Sequence, residues 1–592
     1  MKRNRANTFL WFFSIFFFIV CLAEGILYYH NKIDNVFLSI ALNIQNAIKA
    51  FMLDSEIKID DAVELISNTG LNNIKTYITY LYVITIVLAP FCTVAVLFML
   101  IKRPIYFLQG FFKSRKDKLI IIFGEGENKE NFIDSIKSSC RIIVYEKQAM
   151  SEDRALKLLK EGIAYFTDMG QEDKRISTLK KVKLHKADYI LMCDDNPLQN
   201  LDYLKIVTEF FDHIPQKSNE LTCYIQCQEY GMKEVIQNYY DSPDKKHFDL
   251  SIVDIKQKAV NKMFMEHKLF EYNKINNSKN VHLAIVGFGD YGQNTLIQAL
   301  NNGVFSSDST ICIDVYDKNI DSILGVFLKK FSSDILDGLE EKVPVGDVCA
   351  DFVIKIPFSA NHSFDIDGEV ILRFWRVDVS TIQFTKVLCN CIRNDTFTYV
   401  VIAINEKTLM AATLLEIKKN LLSDIPIIVR ATDNEQSFDF LSSVSDYKNV
   451  HLIHKSKNIF SMEALCNEDI INMAKAFNKK YNEIESGNKR KAKEWMSIPV
   501  FKRESSIAQA MHQDAKEWLL GNDEIDEEHG ALEHRRWCLF MISNGYKYSE
   551  GVKNDEAKTN PCICTWDKLI KDMPDMCSHD FMPFKMIKSK KE

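Results

Sequence analysis

The chain has 592 residues, 47% hydrophobic and 26% charged, which suits about three or four folded domains and excludes wholesale disorder. Its formal net charge of −6 carries no global nucleic-acid signature, so no nucleic-acid partner is expected. The fifteen cysteines follow no regular spacing, which reads as reduced thiols rather than a disulfide framework.

Residues 6–23 carry no charge and are crowded with Phe, Ile and Trp; Glu24 interrupts, and apolar character resumes to Tyr29. Residues 76–101 form a second uncharged run, long enough to cross a bilayer, with Pro90 expected to kink it. Residues 1–117 are therefore expected to be a transmembrane region with spans at about 8–29 and 76–101. Lys2, Arg3 and Arg5 precede the first run, and Lys102, Arg103, Lys113, Arg115 and Lys116 follow the second. The positive-inside rule then puts both termini in the cytoplasm and residues 30–75 outside, in a multi-pass protein of the inner, cytoplasmic membrane. The alternative for the first run is a cleaved signal peptide ending at Ala23. Glu24 suits either a pore lining or, more commonly near a helix end, the membrane interface. The outer segment has one glycine, Gly70, and nothing like a Thr-Val-Gly-Tyr-Gly potassium filter. The stretch Ile33 to Asp54 suits either a degenerate pore helix or an amphipathic cap on the outer surface.

A basic linker then leads into an internal duplication. The β-rich run Lys118 to Phe123 enters Gly124-Glu125-Gly126, and the run Leu283 to Val286 enters Gly287-Phe288-Gly289-Asp290-Tyr291-Gly292. Each turn is followed by a strand ending Val-Tyr-acid-Lys: Ile142 to Lys147, with Glu146, and Ile313 to Lys318, with Asp317. Later strands also correspond, Ala187 to Cys193 with Thr398 to Ile404, and Leu221 to Gln226 with Ile425 to Val429. Strands alternating with helical stretches imply an α/β chain with two tandem Rossmann-like, doubly wound parallel sheets, in residues 118–275 and 276–480. The second carries an insertion at about Leu324 to Phe374.

In such a unit the glycines make a tight turn and let backbone approach a pyrophosphate, and the acid receives ribose hydroxyls. The candidate nucleotide residues are Gly287, Gly289, Gly292 and Asp317 in the second unit, and Gly124, Gly126 and Glu146 in the first. Asp317 disfavours a 2′-phosphate, so NAD or another adenine nucleotide comes before NADP. In the first unit Lys129 replaces the third glycine, either to meet a phosphate or because the site has lost its ligand.

Residues 118 to about 460 resemble paired RCK domains, the Trk-type ligand-sensing modules that gate or regulate potassium channels and transporters. That resemblance implies binding of a nucleotide or dinucleotide at Gly287, Gly289, Gly292 and Asp317 and assembly into a homo-oligomer, a dimer or tetramer. The missing filter sequence departs from the channel members.

Residues 481–592 are expected to hold a linker and a small, mainly α domain. Residues 481–504, with Ser486-Gly487-Asn488 and Lys489, Arg490, Lys491 and Lys493, suit a hinge; Asp523, Glu524, Asp526, Glu527 and Glu528 suit a solvated loop. Leu532-Glu533-His534-Arg535-Arg536-Trp537 has helical spacing that sets Glu533 and Trp537 on one face, with Gly545 fit to cap the helix. Gly545-Tyr546-Lys547-Tyr548, Lys558-Thr559-Asn560-Pro561-Cys562 and Thr565-Trp566-Asp567-Lys568-Leu569 follow.

This series resembles the RyR domain, the repeat named for ryanodine receptors and also found in bacterial proteins; Asn560 stands where many such repeats have His. The resemblance implies a recognition module rather than catalysis, with Glu533, His534, Trp537, Tyr546, Lys558, Asn560 and Pro561 as ligand candidates. Cys562, Cys564, Cys577 and His579 are spaced too tightly at Cys-x-Cys for a usual structural zinc, so no metal is assigned. No catalytic residue is assigned either: His534 with Glu533 or nearby acids suits acid–base work, but with no nucleophile or metal evident in the motif a structural histidine is expected.

The expectation is a membrane-anchored cytoplasmic sensor that binds a nucleotide and gates or regulates a membrane assembly. Family association adds a bacterial stress or anti-phage role. The alternatives are a regulatory subunit for cation transport and a membrane-tethered NAD-dependent oxidoreductase. The latter lacks an evident Tyr-x-x-x-Lys or His–acid pair.

Overall fold

A computed structural model describes residues 2–591, apart from 30–31, 53, 68–73, 114–117, 149, 168–170, 215–220, 242–246, 359–361, 395–396, 422–423, 431–447, 454–467, 486–494 and 496–497. Gly70 and most of the basic hinge lie outside the described residues. The chain divides into two compact units, residues 1–115 with 150–165, and residues 116–149 with 166–592.

The N-terminal helices are α1 (Lys2–Tyr29), α2 (Val36–Ala50), α3 (Ile59–Ser67) and α4 (Ile74–Lys113). Two stretches, Phe12–Tyr29 and Ile74–Ala95, are long and apolar enough to cross a membrane. Helix α4 runs on through Pro90. Helix α2 starts where the Asn35 side chain accepts from the Phe37 and Leu38 amides. It buries Asn43, Asn46, Ala47 and Ala50 and exposes Phe37, Ile40, Ile44 and Ile48. The polar residues it buries have defined partners. Asn46 accepts from the Glu56 and Ile57 amides at 2.9 and 3.1 Å and donates to the Tyr82 hydroxyl at 3.2 Å, fixing the turn after α2 against α4. Glu24 is fully buried, and the Thr79 hydroxyl donates to it at 3.0 Å, so its carboxylate faces the inside of the helical bundle.

Fourteen strands are present among the described residues, all in the larger unit except the first two residues of β3. The first sheet comprises β1 (Leu119–Phe123), β2 (Arg141–Glu146), β3 (Ala164–Thr167), β4 (Tyr189–Met192), β5 (Thr222–Gln226) and β6 (Asp249–Val253), in the order β3-β2-β1-β4-β5-β6. The second comprises β7 (Val281–Val286), β8 (Thr310–Asp317), β9 (Leu339–Val345), β10 (Val348–Ile356), β11 (Glu369–Arg376), β12 (Tyr399–Ile402), β13 (Ile427–Arg430) and β14 (Val450–Ile453), in the order β14-β13-β12-β7-β8-β11-β10-β9. The first sheet has the doubly wound order 3-2-1-4-5-6, and the second has the same order when its two edge strands β9 and β10 are set aside and β11 is counted as its third strand and β14 as its sixth. Every residue of β1 and of β7 is buried, as a parallel sheet covered on both faces requires.

Between β8 and β12 the second unit inserts a hairpin. Strand β11 runs parallel to β8, while β10 and β9 add antiparallel strands at the edge. The sixth strands, β6 and β14, extend the opposite edges beyond the strands the sequence pattern marks.

The C-terminal part is helical, with helices at Glu468–Glu485, Val500–Met511, Gln513–Leu520, Glu527–Ser543, Trp566–Asp572 and Cys577–Lys591. The acidic run before the fourth of these is not simply a solvated loop. Asp526 caps the helix through a reciprocal box with His529, and Glu528 accepts from the Ser307 amide at 2.8 Å and the Ser306 hydroxyl at 2.9 Å. Asn544 is the C-cap, and Gly545 follows at φ +87° with its amide donating to Ile542 O.

Candidate functional site

The second glycine turn lies where β7 gives way to the helix Asp290–Asn302, beside the end of β12. Strand order reverses between β7 and β12, and open α/β sheets take their ligands in the crevice outside the strand ends at such a point. Gly287 adopts φ +96°, and a Cβ there would lie 3.2 Å from the Ala403 carbonyl carbon. Gly292 packs so closely that a Cβ would collide with the Gly287 carbonyl oxygen. Gly289, the residue before the helix, is different: nothing lies within 4 Å of its Cβ position. The turn therefore presents open space at the positive end of a helix, the place where a pyrophosphate is held.

Asp317 ends β8 within reach of this turn. Its Oδ2 accepts from the Phe288 amide at 2.8 Å and its Oδ1 from the Asn319 amide at 2.8 Å. Each carboxylate oxygen keeps a further acceptor site, so the residue can fix the turn and still receive hydroxyls. The four predicted residues of the second unit thus converge.

Several charged neighbours lack any motif and were not legible in the sequence. Lys256, from the helix Ile255–Glu266 that follows the first sheet, forms an ion pair with Asp290, the first residue of the glycine-turn helix. The Arg430 guanidinium, at the end of β13, sits 4.2 Å from the Tyr291 ring centroid. Lys330 donates to Gln293 Oε1 at 3.3 Å; burial, and then the nearby Lys233, pull its ammonium down to about 8.

The first turn is built alike but filled. Lys129 donates to the Gly124 carbonyl at 2.7 Å and forms an ion pair with Glu146, both side chains being sealed from solvent. The carboxylate that would receive ribose hydroxyls is therefore held by the chain's own ammonium. The Glu125 amide donates to Asp194 Oδ2 at 3.0 Å, and the Asp195 carboxylate lies against Gly126 where a Cβ would collide with it. Two carboxylates thus occupy the region a pyrophosphate would take. Lys129 is thus engaged by the chain's own Gly124 carbonyl and Glu146 carboxylate.

The C-terminal candidates turn to separate partners. Glu533 is buried, with Arg536 at 2.8 and 2.9 Å and Lys516 at 2.7 Å; burial alone would raise its pKa, but these cations hold it near about 2. His534 is buried between Asp580, at 3.3 Å, and the Cys564 carbonyl, at 3.0 Å, and stacks on Trp537; contrary to the sequence expectation a thiol does lie beside it, Cys538 Sγ at 3.5 Å, whose pKa burial pushes up. Tyr546 donates to Asp555 at 2.9 Å, and Lys558 pairs with Glu234 of the first Rossmann unit. Asn560 is buried and receives the Cys562 amide at 2.9 Å, fixing the turn at Pro561. These contacts are those of a packed core and its seams, each candidate turning to a different partner.

Cys562, Cys564 and Cys577 pack in an apolar cluster with Trp566 and Leu569. Among the described residues, the grouping with metal-like proximity is instead His282, Cys312 and Asp314 in the second sheet. There Arg373 holds Asp314 through two hydrogen bonds of 2.8 and 2.6 Å, and the Trp375 indole donates at 2.7 Å, so the carboxylate is saturated as a buried structural anion.

No protein-family model matches the chain, and no curated protein matches it in sequence. Among solved structures the chain is similar to the crystal structure of GsuK bound to ADP, at 12% identity and a TM-score of 0.35 over 78% of this chain and 97% of that one. It is also similar to the GsuK channel, at 12% identity and a TM-score of 0.33 over 76% and 96% of the two chains. The crystal structure of the GsuK RCK domain matches at 11% identity and a TM-score of 0.33, over 61% of this chain and 79% of that one.

Proposed function

We propose that the protein is a membrane-anchored cytoplasmic sensor in which a nucleotide with free ribose hydroxyls, NAD or another adenine nucleotide, binds the second Rossmann unit and controls the state of the N-terminal helices. The contrast between the two turns carries this reading. The helix N-terminus at Gly289 is open, whereas Lys129, Asp194 and Asp195 fill the corresponding region of the first unit. One unit thus receives ligand and its duplicate serves as scaffold. A nucleotide drives such a switch only through its differential affinity for two states, and the Lys256–Asp290 pair is a contact between the tandem units that a phosphate at Gly289 would perturb.

The buried Glu24 carboxylate, bonded to Thr79 of the second apolar stretch, supports an output in the membrane. Glu24 is buried within the first apolar stretch, and intramembrane ionisable groups commonly mark ion or proton paths. Calorimetric titration of the detergent-solubilised chain tests the reading: NAD and ADP bind, and NADP binds at least about tenfold more weakly because Asp317 repels its 2′-phosphate. Ligand-dependent ion flux in liposomes containing the chain alone separates a pore from a regulatory subunit. Robust NADH turnover with a carbonyl substrate, lost in Asp317→Ala, would instead make it an oxidoreductase.

A further inference from the structure

Helix α2 begins beyond the end of α1 and finishes between α1 and α4. The Asn43 side chain donates to the Leu22 carbonyl of α1 at 2.9 Å. A Cβ at Gly25 would collide with Asn43, so the glycine lets α2 lie close against α1. At the other end of α2 the Thr93 hydroxyl of α4 donates to the Phe51 carbonyl at 2.9 Å, and the Phe51 ring meets Phe18 of α1 with centroids 6.5 Å apart. Phe18 stands 13 residues after Arg5, and Thr93 stands 9 residues before Lys102, the charges that bound the two apolar runs on their shared basic side. At 1.5 Å per helical residue, Phe51 lies about 14–20 Å from that boundary, which is mid-depth in a hydrocarbon layer about 30 Å thick. The chain then returns without regular structure to Glu56 and Ile57, whose amides Asn46 receives, and the Tyr29 hydroxyl at the end of α1 donates to Glu56 at 3.2 Å.

Irregular backbone at membrane depth is not tolerated against lipid; it is covered by protein or lines water. Exposed on this return segment and on the adjoining side of α2 are Asp54, Glu56 and Gln45, and Lys49 pairs with Glu56 at 2.6 Å. Charged groups cannot face acyl chains either. Beside this polar strip, Phe37, Ile40, Ile44 and Ile48 leave an apolar stripe of α2 bare. Neither lipid nor water alone suits both strips. We propose that α2 and its return segment are a re-entrant hairpin, that a second copy of this chain covers the apolar stripe, and that the copies enclose a water-filled vestibule lined by Gln45, Lys49, Asp54 and Glu56 which admits inorganic cations. From Lys49 to Glu56 the carboxylates outnumber the ammonium two to one, which favours cations over anions. The return segment has no glycine and does not match a carbonyl filter, so side chains set the selectivity and potassium and sodium pass alike. The inference rests on the membrane reading above, but not on a nucleotide being the signal.

The test uses the full-length chain in planar bilayers of phosphatidylethanolamine and phosphatidylglycerol, with KCl and NaCl gradients, in the presence and absence of ADP or NAD. Potassium is expected to be at least about fivefold more permeant than chloride and within about threefold of sodium. Asp54→Asn with Glu56→Gln leaves Lys49 as the charge of the strip and should bring the cation-to-chloride ratio to about one or below. A second readout does not need conduction. In liposomes, Gln45→Cys should react with a charged, membrane-impermeant thiol reagent at least about tenfold faster than Ile44→Cys, measured over the wild-type cysteines, and Ile44→Cys should cross-link between copies. The proposal is overturned if no current appears with or without nucleotide, if chloride is preferred, if the double substitution leaves selectivity unchanged, or if the two cysteines react alike. A cation current that ignores nucleotide would instead sink the sensor reading and leave this one standing, whereas nucleotide binding by calorimetry without any current would do the reverse.

Discussion

Lys129 and Glu146 form an ion pair closed off from solvent, in the position where the first Rossmann unit would otherwise receive a ligand. Burying two charges is costly, and removing one partner strands the other. Lys129→Ala should destabilise the unit by about 3–5 kcal/mol. Replacing both by apolar residues, Lys129→Met with Glu146→Leu, should recover most of that loss. Hydrogen exchange of the β1 and β2 amides gives the readout, and equal protection in wild type and Lys129→Ala would refute the account of this pair.

Gly289 and Gly292 separate ligand approach from packing. Gly289→Ala adds a methyl group into open space, so the melting temperature should stay within about 2 °C while nucleotide affinity falls at least about tenfold. Gly292→Ala drives its Cβ into the Gly287 carbonyl and should lower both stability and binding. Differential scanning fluorimetry beside calorimetry distinguishes the two.

Arg535 holds the C-terminal module to the second sheet. Its guanidinium donates to Ser306 O at 2.9 Å, Ser309 Oγ at 2.8 Å and Glu369 O at 3.2 Å, and lies against Gly368, which has φ +67°. Gly368→Ala is strained by that backbone angle and places its Cβ in the guanidinium. Either Gly368→Ala or Arg535→Ala should cost about 2–4 kcal/mol and increase limited proteolysis between residues 454 and 500. Unchanged cleavage in both would argue against this seam.

The Glu533 triad has a signed pH dependence. Burial alone would raise its pKa, but Arg536 and Lys516 hold the folded-state value near about 2, below the ordinary 4.5. Its contribution is therefore fully present above about pH 4.5 and is lost as pH falls towards 2, on the order of 3 kcal/mol in all. Burial brings Lys516 down to about 8, so it remains protonated throughout that window. Acid melts of the wild type should lose stability over this range, and Glu533→Gln, already weakened, should show a flatter slope. A wild-type melting temperature constant from pH 5 to 3 would contradict the assignment.

The glycine turns, the closing acids and the inner strands were legible because each has a local cause: a tight turn needs glycine, and a doubly buried strand reads as an apolar run. The hairpin Leu339–Ile356 and the sixth strands were not, since edge strands such as β9 mix exposed and half-buried residues and β14 spans only four. Lys129 could be marked as an anomaly from sequence, but its choice between a phosphate and Glu146 depends on folding one strand beside another. The C-terminal motifs marked a helix and its turns correctly in kind. Their polar residues proved to be buried partners such as Glu533 with Lys516, a pairing across 17 residues of chain that spacing alone does not specify.

The central claim is that one of two duplicated units senses a nucleotide. Native mass spectrometry of the detergent-solubilised chain with NAD or ADP measures this most directly. The account predicts one nucleotide per chain in each oligomer, lost in Gly289→Ala and retained in Glu56→Gln. Two nucleotides per chain, none, or occupancy that survives both Gly289→Ala and Asp317→Ala would contradict it.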